Sequence, residues 1–313
     1  MANPDILVLG ADGGGTKTTG LLADRQGTVL AQVRGEGSNQ FVIGMDNAAR
    51  NLAELITGLA AAANCPVGSI GRGILGLAGM GAVRDRQVLI GAIHARLRAM
   101  GHPPVPLAIE TDGRVALEGA FNGGPGIVVV AGTGSVVMGK SAHGEALSIG
   151  GWGRVIGDEG SGYFIGLEAL KAASREIDGR GEAGRIRVSL ASRFGLESRD
   201  RIIAAVYREK FDIPSIAPAV LDAADAGDAV ALGILTRAAD ELSGQIAVAI
   251  HRLGLSEGTG VVMIGGLVDH DTVYARMLAD ALRKHVPKAD IRTPLNGPAY
   301  GALLLAIAGL EGD

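Results

Sequence analysis

Asp12-Gly13-Gly14-Gly15-Thr16-Lys17-Thr18 and Ala131-Gly132-Thr133-Gly134-Ser135 decide how this chain is read. Each stretch follows an apolar run, Ile6-Leu7-Val8-Leu9 in one case and Ile127-Val128-Val129-Val130 in the other, and each leads into a second strand-like run. A glycine turn has no Cβ atoms to hold a ligand off. Its backbone N–H groups can therefore approach an anion, and the neighbouring threonine and serine hydroxyls add donors. Two such turns imply a phosphate held between two similar lobes, which points to nucleotide chemistry.

Outward from the first turn, strands are expected over 5–11, 18–23 and 28–34, with Asp24-Arg25-Gln26-Gly27 as turn chemistry between the last two. Ala48, Leu52, Leu55, Ile56, Leu59 and Ala63 form one stripe of a helix over 46–63. A buried strand at 73–77 ends in Ala78-Gly79-Met80-Gly81. A helix over 85–100 then runs into Gly101 and Pro103-Pro104, a strand covers 105–110, and a short helix covers 112–121. From the second turn outward the pattern restarts, with strands over 126–130, 135–139 and 146–149. Helices follow over 161–177, 186–193, 198–210 and 228–253, then a strand at 260–264, a helix at 272–285, a strand at 289–292 and a helix at 298–309. A meander followed by alternating helix and strand, occurring twice, describes two α/β lobes with a central cleft. The boundary is expected within 119–126, giving lobes of 1–120 and 121–296, with 297–313 returning to the first.

Composition excludes several classes. Glycine, 50 of 313 residues, is about twice its usual ~7% share. It falls in short clusters rather than a repeat, so collagen-like and low-complexity readings fail. The net charge is −4 without a basic stripe, which argues against a nucleic-acid partner. Met1-Ala2-Asn3-Pro4-Asp5 has no signal-peptide character, and the longest apolar stretch, 302–310, is too short for a membrane span and reads as a buried helix. Cys65 is the only cysteine, excluding an internal disulfide or a cysteine-built metal centre within one chain. The six histidines show no ligand spacing. A soluble cytoplasmic protein is expected.

Two familiar glycine motifs fail on inspection. A Walker A loop needs lysine directly after glycine, but Thr16 separates Gly15 from Lys17. The dinucleotide fingerprint needs a third glycine opening a helix, and Thr18 and Val137 stand there instead. The phosphate site is of a strand–turn–strand type. Five stretches in order carry a resemblance: 10–18, Leu75-Gly76-Leu77-Ala78-Gly79, 130–135, Met263-Ile264-Gly265-Gly266-Leu267 and Gly297-Pro298-Ala299-Tyr300-Gly301-Ala302. They resemble the phosphate-1, connect-1, phosphate-2, adenosine and connect-2 segments of the actin/sugar kinase/Hsp70 ATPase superfamily. Gly150-Gly151-Trp152-Gly153-Arg154-Val155-Ile156-Gly157-Asp158-Glu159-Gly160-Ser161 is similar to the N-acetylglucosamine kinase branch of the BadF/BadG/BcrA/BcrD group.

That resemblance implies an α/β fold of two ribonuclease-H-like (actin-like ATPase) lobes, ATP and Mg²⁺ as cofactors, a small sugar substrate and a homodimer. Asp12 is then the magnesium carboxylate, working through water because Mg²⁺ keeps much of its hydration shell; read alone, it would be an Asx-turn residue. Gly13, Gly14, Gly15 and Thr16 contact nucleotide, and Lys17 either joins them or points to solvent. Asp112 is the general base for the acceptor hydroxyl, set where open α/β sheets bind ligands; the bland alternative is that it only caps the next helix. Gly132, Thr133 and Gly134 cradle the transferred phosphoryl, with Ser135 and Val136 bordering the sugar. Asn39, Gly151, Trp152, Gly153 and Asp158 match sugar-binding positions, with Glu159 adjacent, while Gly265, Gly266 and Ala217 line the adenosine site. Trp152 could otherwise be core.

The expected activity is phosphorylation of the 6-hydroxyl of N-acetylglucosamine, with glucosamine kinase as the alternative. An ATPase that activates a partner enzyme fits worse, since it needs cluster-holding cysteines and Cys65 stands alone. A sugar-responsive repressor needs a DNA-binding extension for which there is no room before Asp5.

Overall fold

The computed structural model describes residues 6–80, 83–256 and 258–311; expectations on Met1–Asp5 and on Gly81 fall outside them. The chain divides into two compact units, one of Met1–Gly124 with Pro294–Asp313 and the other of Pro125–Thr293.

In the first unit, β1 (Leu7–Gly13), β2 (Lys17–Ala23) and β3 (Val29–Glu36) form an antiparallel meander. Asp24 fixes the β2–β3 turn, its Oδ1 accepting from the Gln26 and Thr28 N–H groups at 3.0 and 2.8 Å. The Thr28 N–H does most to hold that carboxyl below its usual range. The short α1 (Gln40–Ile43) and the amphipathic α2 (Met45–Ala62) lead to β4 (Ile70–Leu77). Helix α3 (Val83–Ala99), β5 (Leu107–Thr111) and α4 (Asp112–Ala120) follow. The sheet order is β3-β2-β1-β4-β5, with β4 parallel to both β1 and β5. Leu52, Ile56 and Leu59 of α2, together with Leu89 and Ile93 of α3, bury against one face of the sheet. Each such side chain contributes about 1.5–3 kcal/mol.

The second unit repeats the scheme. Strands β6 (Gly126–Ala131), β7 (Ser135–Lys140) and β8 (Ala146–Gly150) form a meander. Helices α5 (Gly162–Ile177), α6 (Arg185–Phe194), α7 (Arg199–Tyr207), α8 (Ala217–Asp225) and α9 (Ala229–Arg252) follow, then β9 (Gly260–Ile264), α10 (Val273–His285) and β10 (Asp290–Ile291). The order β10-β9-β6-β7-β8 is the first sheet's order again, with β9 parallel to β6 and β10. Among the described residues six helix starts are capped by side chains of the expected type: Asn39, Thr111, Ser161, Ser198, Asp228 and Thr272.

The chain ends in α11 (Pro298–Glu311), which packs on β1 and α4 of the first unit. Ala302, Leu303 and Ala306 pack with Val8 of β1, Ile74 of β4 and Val115 of α4 in a cluster separate from that of α2. The crossing is close enough that a Cβ on Gly301 would overlap the Val115 carbonyl oxygen and the Gly119 amide.

Two differences from the sequence reading have local causes. No element was expected between Lys210 and Asp228, yet α8 lies there after a 3₁₀ turn at Ile213–Ile216. Pro214 and Pro218 resemble loop signals, but a proline in a helix's first turn gives up only an N–H that has no partner there anyway. Helix α7 stops at Tyr207 rather than 210, and Lys210 takes a left-handed φ of 52°. Among the described residues no helix is long and apolar enough to cross a membrane.

Candidate functional site

The first unit brings together two carboxylates from the ends of two strands. β1 carries Asp12 level with Thr19 of β2 and Gly76 of β4. Thr111 closes β5 and caps α4, its Oγ1 accepting from the Arg114 N–H at 3.2 Å. The cap is therefore Thr111 and not Asp112, which corrects the bland reading of that aspartate. Asp112 is the exposed first residue of the helix, its Oδ1 accepting from the Gly113 N–H at 2.9 Å. Burial pushes the Asp12 carboxyl up to about 6, the Asp112 charge pushes in the same direction, and Lys17 opposes both. Asp12 thus lies within the fields of both Asp112 and Lys17.

Behind them the phosphate-1 turn is closed by the Gly14 N–H donating to the Lys17 carbonyl at 3.0 Å. The Gly14 carbonyl in turn accepts from the Ser38 and Asn39 N–H groups at 2.9 and 3.1 Å. Thr18 is buried, and its hydroxyl donates to the Glu36 carbonyl at 2.7 Å and to Ser38 Oγ at 2.9 Å. A Cβ on Gly13 would overlap the same Ser38 hydroxyl, so the turn and the loop carrying Asn39 are locked together. Thr16 and Lys17 are exposed, and Gly15 is half-buried. Asn39 Oδ1 accepts from the Phe41 N–H at 2.9 Å, capping α1, and Gly79 lies close by.

In the second unit the phosphate-2 turn is tied to the start of α5. The Gly132 N–H donates to the Gly134 carbonyl at 3.0 Å. The Gly132 and Thr133 carbonyls accept from the Gly162 and Tyr163 N–H groups at 2.8 and 3.1 Å. Asp158 is buried against Gly134 with φ +60°, a left-handed conformation that aspartate tolerates better than most residues. Three tethers hold the turn after it. Ser135 Oγ donates to the Glu159 carbonyl at 2.7 Å, Gln245 Nε2 to Glu159 Oε2 at 3.2 Å, and the Tyr274 hydroxyl to the Gly160 carbonyl at 2.8 Å. Tyr274 is wholly buried, which pushes its phenol far above the usual range. Ser135 is therefore a buried tether, its hydroxyl turned to backbone. Val136 pairs with Gly150 across the β7–β8 ladder and flanks Gly151. Trp152, between Gly151 and Gly153, is 74% exposed and so is not core.

Gly265 takes φ +115°, and a Cβ there would lie 2.5 Å from the Ala131 carbonyl oxygen. Its N–H donates to Asp269 Oδ1 at 2.7 Å, so this glycine serves close packing of β9's end on β6. Gly266 faces open space. Ala217 is buried beside Gly162 at the start of α8.

A cavity of about 810 Å³ opens beside the phosphate-2 turn, with Thr133, Gly134, Asp158, Arg154, Tyr163 and Lys210 in its wall. The last three were not singled out in the sequence. Arg154 stands inside the 150–161 stretch, where its spacing from the glycines and acids carries no signal of its own. The Arg154 guanidinium lies 5.9 Å from the Tyr163 ring centroid.

Among the described residues no group of three or more His, Cys, Asp or Glu could hold a metal ion alone. The Asp12 carboxylate nevertheless suits Mg²⁺, which takes one or two protein carboxylates and fills its remaining positions with water and phosphate oxygens. A half-buried acid beside a second acid is the environment such a cation would stabilise.

Duplicated five-stranded units, glycine-hydroxyl turns after the first strand of each, and an acid pair at the strand ends define a phosphate-handling protein of the actin-like ATPase class. The chain belongs to the BadF/BadG/BcrA/BcrD ATPase family, which it matches over residues 9–306. It is 32% identical to the N-acetylmuramic acid/N-acetylglucosamine kinase of Clostridium acetobutylicum, over 96% of this chain and 97% of that one. It is 28% identical to the N-acetyl-D-glucosamine kinase of Dictyostelium discoideum, over 96% and 98%. Among solved structures, a candidate N-acetylglucosamine kinase from Chromobacterium violaceum superposes with a TM-score of 0.72 at 27% identity, covering 97% of this chain and 99% of that one.

Proposed function

We propose that this protein is an ATP-dependent, magnesium-requiring amino-sugar kinase that phosphorylates the 6-hydroxyl of N-acetylglucosamine. The observation that carries the reading is the acid pair. Asp12 and Asp112 come from different strand ends and lie close enough for one charge to raise the other's pKa. Paired acids that gain nothing for stability fit a site that needs both.

Phosphoryl transfer asks the protein mainly to position groups and to stabilise charge. Asp112 accepts the proton of the attacking hydroxyl; its exposure and its release from capping leave it available for that role. Asp12 would hold Mg²⁺, which when bound supplies charge neutralisation at the phosphates. The Gly132–Gly134 turn offers backbone and Thr133 hydroxyl donors to phosphate oxygens. Asp158, buried and fixed by its tethered turn, accepts hydrogen bonds from sugar hydroxyls; a buried pairing of that kind rejects analogues lacking the hydroxyl. Asn39 is assigned to the sugar as well.

The test is ADP release with Mg²⁺-ATP and either N-acetylglucosamine or glucosamine, side by side. The expected result is turnover dependent on the acetylated sugar. Faster turnover of glucosamine would move the substrate assignment, and ATP hydrolysis indifferent to any amino sugar would remove the kinase reading.

A further inference from the structure

Helix α3 carries an arginine in its first turn, and that side chain joins two segments outside the helix. Arg86 Nε donates to the Met80 carbonyl at 2.7 Å, and its Nη1 donates to the Ile109 carbonyl at 2.8 Å. Glu110 Oε2 lies 3.7 Å from the same Nη1. Met80 and Ile109 are both buried, where a carbonyl that loses its partner is costly.

Each carbonyl belongs to a segment that leads to the acid pair or to Asn39. Met80 follows the connect-1 stretch after β4. In that stretch the Ala78 N–H donates to the Gly13 carbonyl at 3.2 Å, and a Cβ on Gly79 would overlap the Phe41 ring and touch Asn39 Oδ1. Ile109 lies in β5, the outer strand of its sheet, and two residues later Thr111 caps the helix that opens with Asp112. A strand at a sheet edge leaves a row of N–H and C=O groups without a neighbouring strand, and Arg86 takes one of them.

We infer that Arg86 is a positioning residue: it ties the loop that backs Asn39 to the strand that places Asp112, so the sugar contact and the general base keep one spacing. The inference rests on the kinase reading above and adds to it a residue that acts through Asn39 and Asp112 rather than on the substrates. Arginine suits the task because its donors diverge on a rigid plane, whereas a lysine ammonium donates from one point on a flexible stem.

Three variants test it. Arg86→Met keeps the stem and removes both donors, and Arg86→Lys keeps the charge. Ile93→Val thins the core under the same helix, about two turns further along. Each is assayed with Mg²⁺-ATP and N-acetylglucosamine at a temperature where it is folded, and by hydrogen exchange. Arg86→Met is expected to lose about 10²-fold in kcat, the effect of an ångström's misplacement, and to raise KM for the sugar with KM for ATP unchanged. Arg86→Lys recovers part of the kcat, and Ile93→Val keeps wild-type kinetics. Exchange in Arg86→Met rises over 78–80 and 109–113 and stays at the wild-type level in α2. Wild-type kcat in Arg86→Met overturns the inference, as does an equal loss in Ile93→Val. A parallel rise in both KM values, or exchange raised throughout α2, also overturns it, because the arginine then supports the fold as a whole. If Arg86→Met does not fold, Arg86→Lys decides by the same measures. Should the wild type phosphorylate no amino sugar, the kinase reading falls, while the exchange pattern still decides whether Arg86 holds the two segments together.

Discussion

Asp12→Asn should make the protein more stable and nearly inactive at once. The Asp12 carboxyl is raised from 3.8 to about 6, first by burial and then by Asp112. In the folded chain it keeps its proton up to about pH 6, whereas in the unfolded chain it releases it near pH 3.8. Between those values the folded state binds more protons, so stability falls as pH rises through the window. Above pH 6 the deficit is complete and amounts to roughly 3 kcal/mol; below about 3.8 it is absent. Asparagine titrates in neither state, so the variant should gain about 2–3 kcal/mol at pH 7.5 and almost nothing at pH 4. Urea denaturation followed by circular dichroism at the two pH values measures the difference, and ATP turnover with N-acetylglucosamine measures the lost function. Asp112→Asn should recover a smaller share of the same stability, because Asp112 ranks behind burial as a cause. An Asp12→Asn protein no more stable than wild type at pH 7.5, or one whose advantage persists at pH 4, would refute the account of a strained acid kept for a cation.

Other outcomes follow from single contacts. Asp112→Asn should fold normally, since Thr111 is the cap, and lose about 10²–10⁴ in turnover; near-normal kcat removes the base assignment. Thr111→Ala should cost about 1 kcal/mol of stability in the same denaturation assay, as loss of a helix cap does. Tyr274→Phe leaves the Gly160 carbonyl unpaired in a fully buried place and should cost about 1–3 kcal/mol. Because the tether serves the Asp158 turn, KM for the sugar should rise more than KM for ATP, and equal changes in both would assign Tyr274 to the core alone. Gly301→Ala puts a Cβ into backbone of α4 and should cost about 3 kcal/mol or more, read as a lowered unfolding temperature; a silent substitution would mean that α11 sits farther from α4.

Chemistry written in consecutive residues was legible in the sequence. Glycine-hydroxyl turns, capping serines and threonines, and the stripe of α2 depend on neighbours within a few positions, so composition and period reveal them. Contacts between residues far apart in the chain leave no such period. Nothing local marks Ser135 as a tether to Glu159, 24 positions away, or Tyr274 as the partner of Gly160, 114 positions away. Gly265 shows the same limit from the other side. Its motif marks a close backbone approach without naming the partner, which is the Ala131 carbonyl of another strand. An arginine among glycines in a loop, such as Arg154, has no spacing signature; the cavity gathers it with Lys210.

The two units repeat one strand order but differ in the residues at corresponding strand ends. Both sheets have the same strand order, so corresponding strand ends can be compared directly. β1 ends in Asp12-Gly13 and is followed by a glycine turn; β6 ends in Ala131 before its own turn, with no carboxylate. After β5 the chain enters a helix at Asp112, whereas after β10 the next helix opens at Pro298, a residue with no group to accept a proton. The turn of the second unit takes its acid from elsewhere in the chain: Asp158, buried against Gly134, stands there in place of a strand-end carboxylate. One strand order thus carries different side chains at corresponding ends, and in the first unit the strand-end acid Asp12 has its carboxyl raised by burial and by Asp112.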